Sequence, residues 1–344
     1  LACFILARNL GDIVVQSGFV KRLVSSGYAE RYLIWTRPQL AFLFDDLQCS
    51  TVICSQFPVG TSKQFDGREA LRFVAAARQI RRLKPSVSLD FIGDMRERLL
   101  ARLIGAQRHL HIGWTSEHPY SRLIRNHFGP GQPLITVPTH VRSVYAAYEL
   151  FVKALNAPQM QSQERTAGPA RDTAWRLGRL RVGIHPFASI PCKHWPAQNW
   201  HILTRELLSH GASVTAFGAP QERQALQSMF DSFGESVRFF TGSLQEFARE
   251  VSNLDILVGL DSFSVHMAHR QGISSVTVNA GTPPELWAVP SGITLGGSGG
   301  CAHYPCFNIP KCLARPYEFA CTKSTSPRQV MDVIRTLGSQ RPPP

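Results

Sequence analysis

The chain has 344 residues, 44% of them hydrophobic and 18% charged, and its formal charge is +13. The length suits two domains, the composition excludes a long disordered chain, and no apolar run reaches the roughly 18–20 residues of a membrane span. The positive surplus favours an anionic partner such as a phosphate-rich glycolipid or a membrane face; nucleic acid is disfavoured, since no nucleic-acid-binding signature accompanies the charge.

In chain order, LACFILARNLGD has no basic segment ahead of its apolar burst and no small-residue cleavage site behind it, so it reads as a buried first strand rather than a leader. A helix through Val20, Leu23 and Val24 closes at Gly27. RYLIW, TVICS and SVSLDFIG follow as strands, with helical stretches such as GREALRFVAAARQIRRL between them. Arg78, Arg81, Arg82, Arg96, Arg98, Arg102 and Arg108 crowd one stretch, either as solvated helix faces or as a surface for an anion.

The polar, weakly periodic residues 157–178 read as a linker. The alternation then restarts: LRVGIHP, ASVTAFG, VRFFTG, DILVGL and SSVTVNAG as strands, with helices between them and a final amphipathic helix over SPRQVMDVIRTLG. Repeated strand–helix order predicts two open α/β domains with parallel sheets, whose ligands sit at the carboxyl ends of the strands, in a cleft. Eight cysteines without a secretion signal suggest the cytoplasm, where structural disulfides are rare.

The chemistry-bearing residues stand just after strands. Asp12, after Gly11, reads as a helix cap or as a carboxylate able to take a proton from a hydroxyl. Ser189 and Lys193 lie in a loop that either exposes a lysine beside a packing Trp195 or sets it against a diphosphate at a helix start. Gly218 and Glu222 follow the next strand, Glu222 being either a ribose acceptor or a first-turn helix residue. Thr241 and Gly242 form a turn ahead of a helix that Ser243 caps. Asp261, Ser262 and His266 converge where DILVGL meets a helix, a grouping suited to phosphate and sugar hydroxyls.

Taken together, NLGDIVV, DFIGDMRERLLARLIGA, GIHPFASIPCKHWPAQNW, FGAPQE, FTGSLQEFA and LVGLDSFSVHMAHRQGISSVTVNAG resemble, in order and spacing, glycosyltransferase family 9, the ADP-heptose-dependent heptosyltransferases of lipopolysaccharide core synthesis. The resemblance covers nearly the whole chain. It implies a GT-B fold: two Rossmann-like doubly wound domains facing a central cleft, with residues 1–160 for the acceptor, 161–178 as linker, and 179–338 for the nucleotide-sugar donor. The last helix is expected to pack back on the first domain.

It further implies an inverting transfer from ADP-heptose, with no metal required for catalysis. Asp12 matches the base, Lys193 the lysine that neutralises the leaving diphosphate, and Glu222 the position near the nucleoside. Asp261, Ser262 and His266 match the donor loop, and Thr241 and Gly242 a turn near the base. Arg96 and Arg98 are candidates to hold an anionic acceptor. The acceptor is a glycolipid core sugar or, alternatively, a protein; a non-catalytic nucleotide- or glycan-binding module is the reading from another class. The enzyme would be cytoplasmic, with peripheral contact at the inner membrane face. Two departures stand near the site: Gln16-Ser17-Gly18 where the family has Thr-x-Pro, and Phe263 where it has glycine. Cys301, Cys306, Cys312 and Cys321 are spaced as C-x4-C-x5-C-x8-C and read as reduced thiols, a disulfide pair, or ligands of a structural zinc or iron; one family branch, the autotransporter heptosyltransferases, is similar in having a metal-binding cysteine motif near its C-terminus.

Overall fold

A computed structural model describes residues 1–6, 9–56, 66–115, 118, 133–155, 180–307 and 309–339, in two compact units, Leu1–Met160 and Gln161–Pro344. The segment 161–178, expected to be the linker, lies outside the described residues.

In the first unit, strands β1 (Ala2–Leu6), β2 (Tyr32–Thr36), β3 (Ser50–Cys54), β4 (Val87–Asp90), β5 (Arg108–Trp114) and β6 (Ile135–Val137) form one parallel sheet in the order β3-β2-β1-β4-β5-β6. The central strand β1 is buried at every position, as a parallel strand covered on both faces must be. Helices α2 (Gly67–Arg82) and α3 (Met95–Leu103) cover one face, where Phe73, Ala77, Ile80 and Leu100 pack on Cys3, Leu33 and Trp35. Helices α1 (Leu10–Ser25) and α4 (Val144–Ala154) bring Phe19, Tyr148 and Phe151 against Phe91, whose ring also meets Phe4.

The second unit repeats the plan. Strands β7 (Arg181–His185), β8 (Ser213–Phe217), β9 (Val237–Phe240), β10 (Ile256–Leu260), β11 (Ser274–Asn279) and β12 (Gly292–Gly296) pair in parallel in the order β12-β11-β10-β7-β8-β9. Counted from its own first strand, each unit therefore runs 3-2-1-4-5-6, the doubly wound order. Helices α5 (Ala197–Ser209), α6 (Arg223–Phe230), α7 (Leu244–Ser252) and α8 (Phe263–Arg270) connect the strands. A short α9 (Ala320–Lys323) precedes α10 (Pro327–Ser339), whose Val330, Met331 and Ile334 belong to the core of this unit with Trp200, Leu203 and Val258. No helix among the described residues is long and apolar enough to cross a membrane.

Candidate active site

In a doubly wound sheet the chain leaves β-strands 1 and 4 toward opposite faces, and the gap between their carboxyl ends is the natural ligand site. In the second unit those strands are β7 and β10. The loop after β7 carries Lys193 in a single 3-10 turn, Pro191–Lys193, and Asp261 follows the last residue of β10. Across the gap the Lys193 ammonium donates to the Asp261 carboxylate at 2.7 Å and to the Asp261 carbonyl at 2.9 Å. Both side chains are largely withdrawn from water, 12% and 5% exposed. Such a pair pays desolvation that its own attraction barely returns, so its place here is better explained by chemistry than by stability.

Neighbouring groups hold this pair in place. The Trp195 indole donates to the Thr325 carbonyl at 2.9 Å and its ring stands edge-on to Trp200, which anchors the lysine loop to the core. The Thr282 hydroxyl lies 3.4 Å from the Asp261 carboxylate and 3.0 Å from the Asn279 side-chain oxygen. Asn279 and the Tyr304 hydroxyl both donate to the Thr282 carbonyl at 2.7 Å. Of the three ammonium hydrogens of Lys193, two meet Asp261, and among the described residues the third is left for another anion.

His266 lies on α8, 4% exposed, with Trp287 edge-on at 5.8 Å. Burial pulls its pKa down to about 4; Asp261 opposes this and Lys193 adds to it, so the imidazole is neutral near pH 7. It therefore offers a hydrogen-bond donor and acceptor rather than a charge. The Ser262 hydroxyl, at the start of α8, sits 3.1 Å from that of Ser264. Phe263, the departure from the family pattern, packs beside His185 and Phe247 at ring separations of 5.5 and 5.2 Å.

The loops after β8 and β9 hold the remaining donor candidates. A side chain on Gly218 would crowd Phe187 at 3.2 Å and Glu222 at 3.4 Å, so backbone and ring lie close. Glu222 accepts from the Ala219 amide at 2.7 Å and thus closes its own turn. A Cβ on Gly242 would lie 2.6 Å from the Phe240 ring; Thr241 beside it is half-buried, and Ser243 and Glu246 form the capping box of α7. Ser189 is exposed on the lysine loop. Lys193, Asp261 and His266 are thus brought together, with Ser262 next to them, while Gly218, Glu222, Thr241 and Gly242 stand at the ends of the two adjoining strands. Sequence reading missed Asn279, Thr282 and Tyr304; the only signal was the small-residue run after SSVTVN.

In the first unit, Asp12 is the third residue of α1, half-buried, and accepts from the Asn9 side-chain amide at 2.9 Å. Asn9, not Asp12, holds the cap position, and Asp12 stands in the first turn of the helix. After β4, the Asp90 carboxylate accepts from the amides of Ile92 and Gly93, and Asp94 caps α3 while gripping the Arg96 guanidinium at 2.6 and 3.2 Å. Arg96 is thereby oriented but still 37% exposed; Arg98 is half-buried.

All eight cysteines are free thiols. Burial raises the Cys321 thiol, and Cys301, Cys306 and Cys312 raise it further, so the four lie near one another. Cys192, beside the site lysine, joins them: burial and then Cys306 push it up to about 11. Yet among the described residues no three or more His, Cys, Asp or Glu side chains are placed to hold a metal ion.

The model of glycosyltransferase family 9 (heptosyltransferase) matches residues 78–314. No curated protein sequence matches the chain. Among solved structures, the family 9 glycosyl transferase from Veillonella parvula superposes with a TM-score of 0.68 at 15% identity, covering 99% of this chain and 97% of that one. E. coli heptosyltransferase WaaC with ADP gives 0.67 at 16% identity, covering 98% and 100%. E. coli ADP-heptose lps heptosyltransferase II gives 0.64 at 13%, covering 98% of each chain. These neighbours share the two-domain, parallel-sheet architecture expected of a GT-B fold. The chain belongs to glycosyltransferase family 9 and is a nucleotide-sugar glycosyltransferase.

Proposed function

We propose that this member of glycosyltransferase family 9 moves a heptose from ADP-heptose to a hydroxyl of a lipopolysaccharide core sugar, inverting the anomeric centre. The observation that carries the reading is the Lys193–Asp261 pair at the switch point of the second unit. The family match and the ADP bound to the E. coli WaaC neighbour support ADP as the nucleotide.

In this reading the diphosphate of the donor lies against Lys193 and the amides at the start of α8, with neutral His266 hydrogen-bonding to the donor. Asp12 accepts the proton of the acceptor hydroxyl as that oxygen attacks the anomeric carbon. The bond from that carbon to the diphosphate oxygen breaks in the same displacement, and Lys193 meets the charge that develops on the departing phosphate. Glu222, Thr241 and Gly242 contact the nucleoside, Gly218 and Ser262 line the donor loops, and Arg96 and Arg98 meet the anionic acceptor. No step is assigned to a metal.

The test is a thermal-shift panel of ADP-, UDP- and GDP-sugars, followed by turnover on phosphorylated core glycolipid. ADP-sugars alone are expected to raise the melting temperature. Lys193→Ala is expected to cut kcat by roughly a hundredfold to a thousandfold. Asp12→Ala should remove transfer, by roughly a hundredfold to ten-thousandfold, while leaving the ADP-induced shift intact. A shift with UDP- or GDP-sugars instead would sink the heptose assignment, and turnover on a protein but not on glycolipid would move the acceptor.

A further inference from the structure

We propose that the outer surface of α2 and α3 docks the protein on an anionic lipid bilayer. The inference rests on the reading that the acceptor is a glycolipid, and it adds where the membrane is met. In α2 the buried residues are Phe73, Ala76, Ala77 and Ile80. At about 100° per residue, that leaves Leu71, Ala75, Arg78 and Arg82 on the opposite face. In α3, Leu100 and Ala101 are buried, which turns Leu99 and Leu103 outward, one turn apart. The helices lie side by side on one sheet face: their inner residues share a core with Ile104, and Arg81 donates to the Leu103 carbonyl at 3.3 Å.

This face is unusual in what it shows to solvent. Leu71 is 74% exposed and Leu99 53%, and Val74, Leu83 and Leu103 are each at least 40% exposed. Among the described residues these five are all the exposed large hydrophobics of the first unit, and they fall on two adjacent helices and the residue that ends one of them. A single exposed leucine is ordinary; five together mark an interaction surface.

The charge names the partner. The two helices carry eight arginines against two acids, Glu69 and Glu97. Glu69 is ion-paired with Arg72, and Glu97 is 1% exposed. The outward charge is therefore positive, with aliphatic side chains between the guanidinium groups. A bilayer surface satisfies both at once: leucines enter the boundary of the acyl chains while arginines, their stems lying along apolar surface, reach the lipid phosphates. Single-stranded nucleic acid fits poorly, since the one aromatic residue of the two helices, Phe73, is buried and cannot stack on a base.

The experiment is flotation of the full chain with vesicles of phosphatidylcholine alone, or of phosphatidylcholine mixed with phosphatidylglycerol. The protein is expected to float with the mixed vesicles only. Leu71→Ser combined with Leu99→Ser should lower the partition coefficient by about tenfold or more. Arg78→Glu combined with Arg82→Glu should lower it by about twentyfold or more, since each basic residue at an anionic surface contributes roughly fivefold. Both variants should keep the wild-type melting temperature and the ADP-induced shift. Wild-type flotation that neither variant weakens, or binding to duplex DNA without binding to vesicles, overturns the proposal. Vesicle binding as predicted with no response to any ADP-sugar leaves the docking surface standing and removes the heptosyl-transfer reading; the opposite pattern does the reverse.

Discussion

His185 ends β7 with its ring enclosed by Phe187, Phe247 and Phe263, and burial lowers its pKa to about 4. His266 is lowered to the same value, again chiefly by burial. An imidazole unfolds to a pKa near 6.5, so between pH 6.5 and 4 the unfolded chain binds more protons than the folded one. Stability is therefore full above about pH 6.5 and falls as the pH drops toward 4, by at most ~3 kcal/mol for each such residue. His185→Gln should flatten the dependence of the melting temperature on pH across this window. A wild-type slope in that variant would show that the buried imidazole is not its source. At this scale the candidates Asp12, Lys193 and Asp261 could be picked out of the sequence because each lies in the segment that leaves a strand, one at its very end and the others within two helical turns or so of it. The support under Asp261 was not. Asn279, Thr282 and Tyr304 reach it only through the pairing of β10 with β11 and the return of the chain at Tyr304. Glu222 was legible only as a pair of alternatives, and its bond to the Ala219 amide shows it serving the turn in the structure as it stands.

At the scale of elements, glycine acts with opposite sign in two places. Gly183 sits in the middle of β7, where a Cβ would lie 2.4 Å from the Leu254 side chain and 2.9 Å from those of Leu257 and Phe217. Gly183→Ala should overpack this core and lower stability by roughly 1–3 kcal/mol in urea unfolding. Gly18 lies within α1 with nothing inside 4 Å of a Cβ, so Gly18→Ala should raise stability by roughly 0.5–1 kcal/mol. A loss at position 18 equal to that at 183 would mean that helix propensity is not what the glycine costs. The same locality explains which elements the sequence made visible. β1, β2, β3, β4, β7, β8, β9, β10 and β11 stood out as apolar or alternating runs, as strands buried on one or both faces must. β5 hid behind Arg108, His109 and His111, β6 has three residues, and β12 is a short run between glycines. Each of these is a strand because a neighbour pairs with it, not because its own sequence demands extension.

For the whole molecule, the repeated strand order gives two switch points with opposite chemistry. In the second unit, β7 and β10 present a lysine whose remaining hydrogen suits a phosphate. In the first, Asp90 ends β4, Asp12 and Asp94 come after β1 and β4, and the Arg96 guanidinium is held by Asp94. A diphosphate entering the first unit would meet Asp12, Asp90 and Asp94, whereas the second unit sets Lys193, shared with the single carboxylate of Asp261, beside the start of a helix. The architecture alone would permit a nucleotide in either unit; the proposed reading, with the diphosphate on Lys193, puts it in the second. ADP should accordingly stabilise the second unit selectively, by about 2.7 kcal/mol when it stands at about a hundredfold excess over its Kd. In differential scanning calorimetry the transition of the second unit should move upward with ADP concentration, and Lys193→Ala should abolish that movement. Hydrogen exchange identifies which unit responds: amides of β7 and β10 should gain protection, and those of β1 and β4 should not. Protection gained at β1 and β4 instead would place the nucleotide among the carboxylates and refute the division of labour drawn from the two switch points.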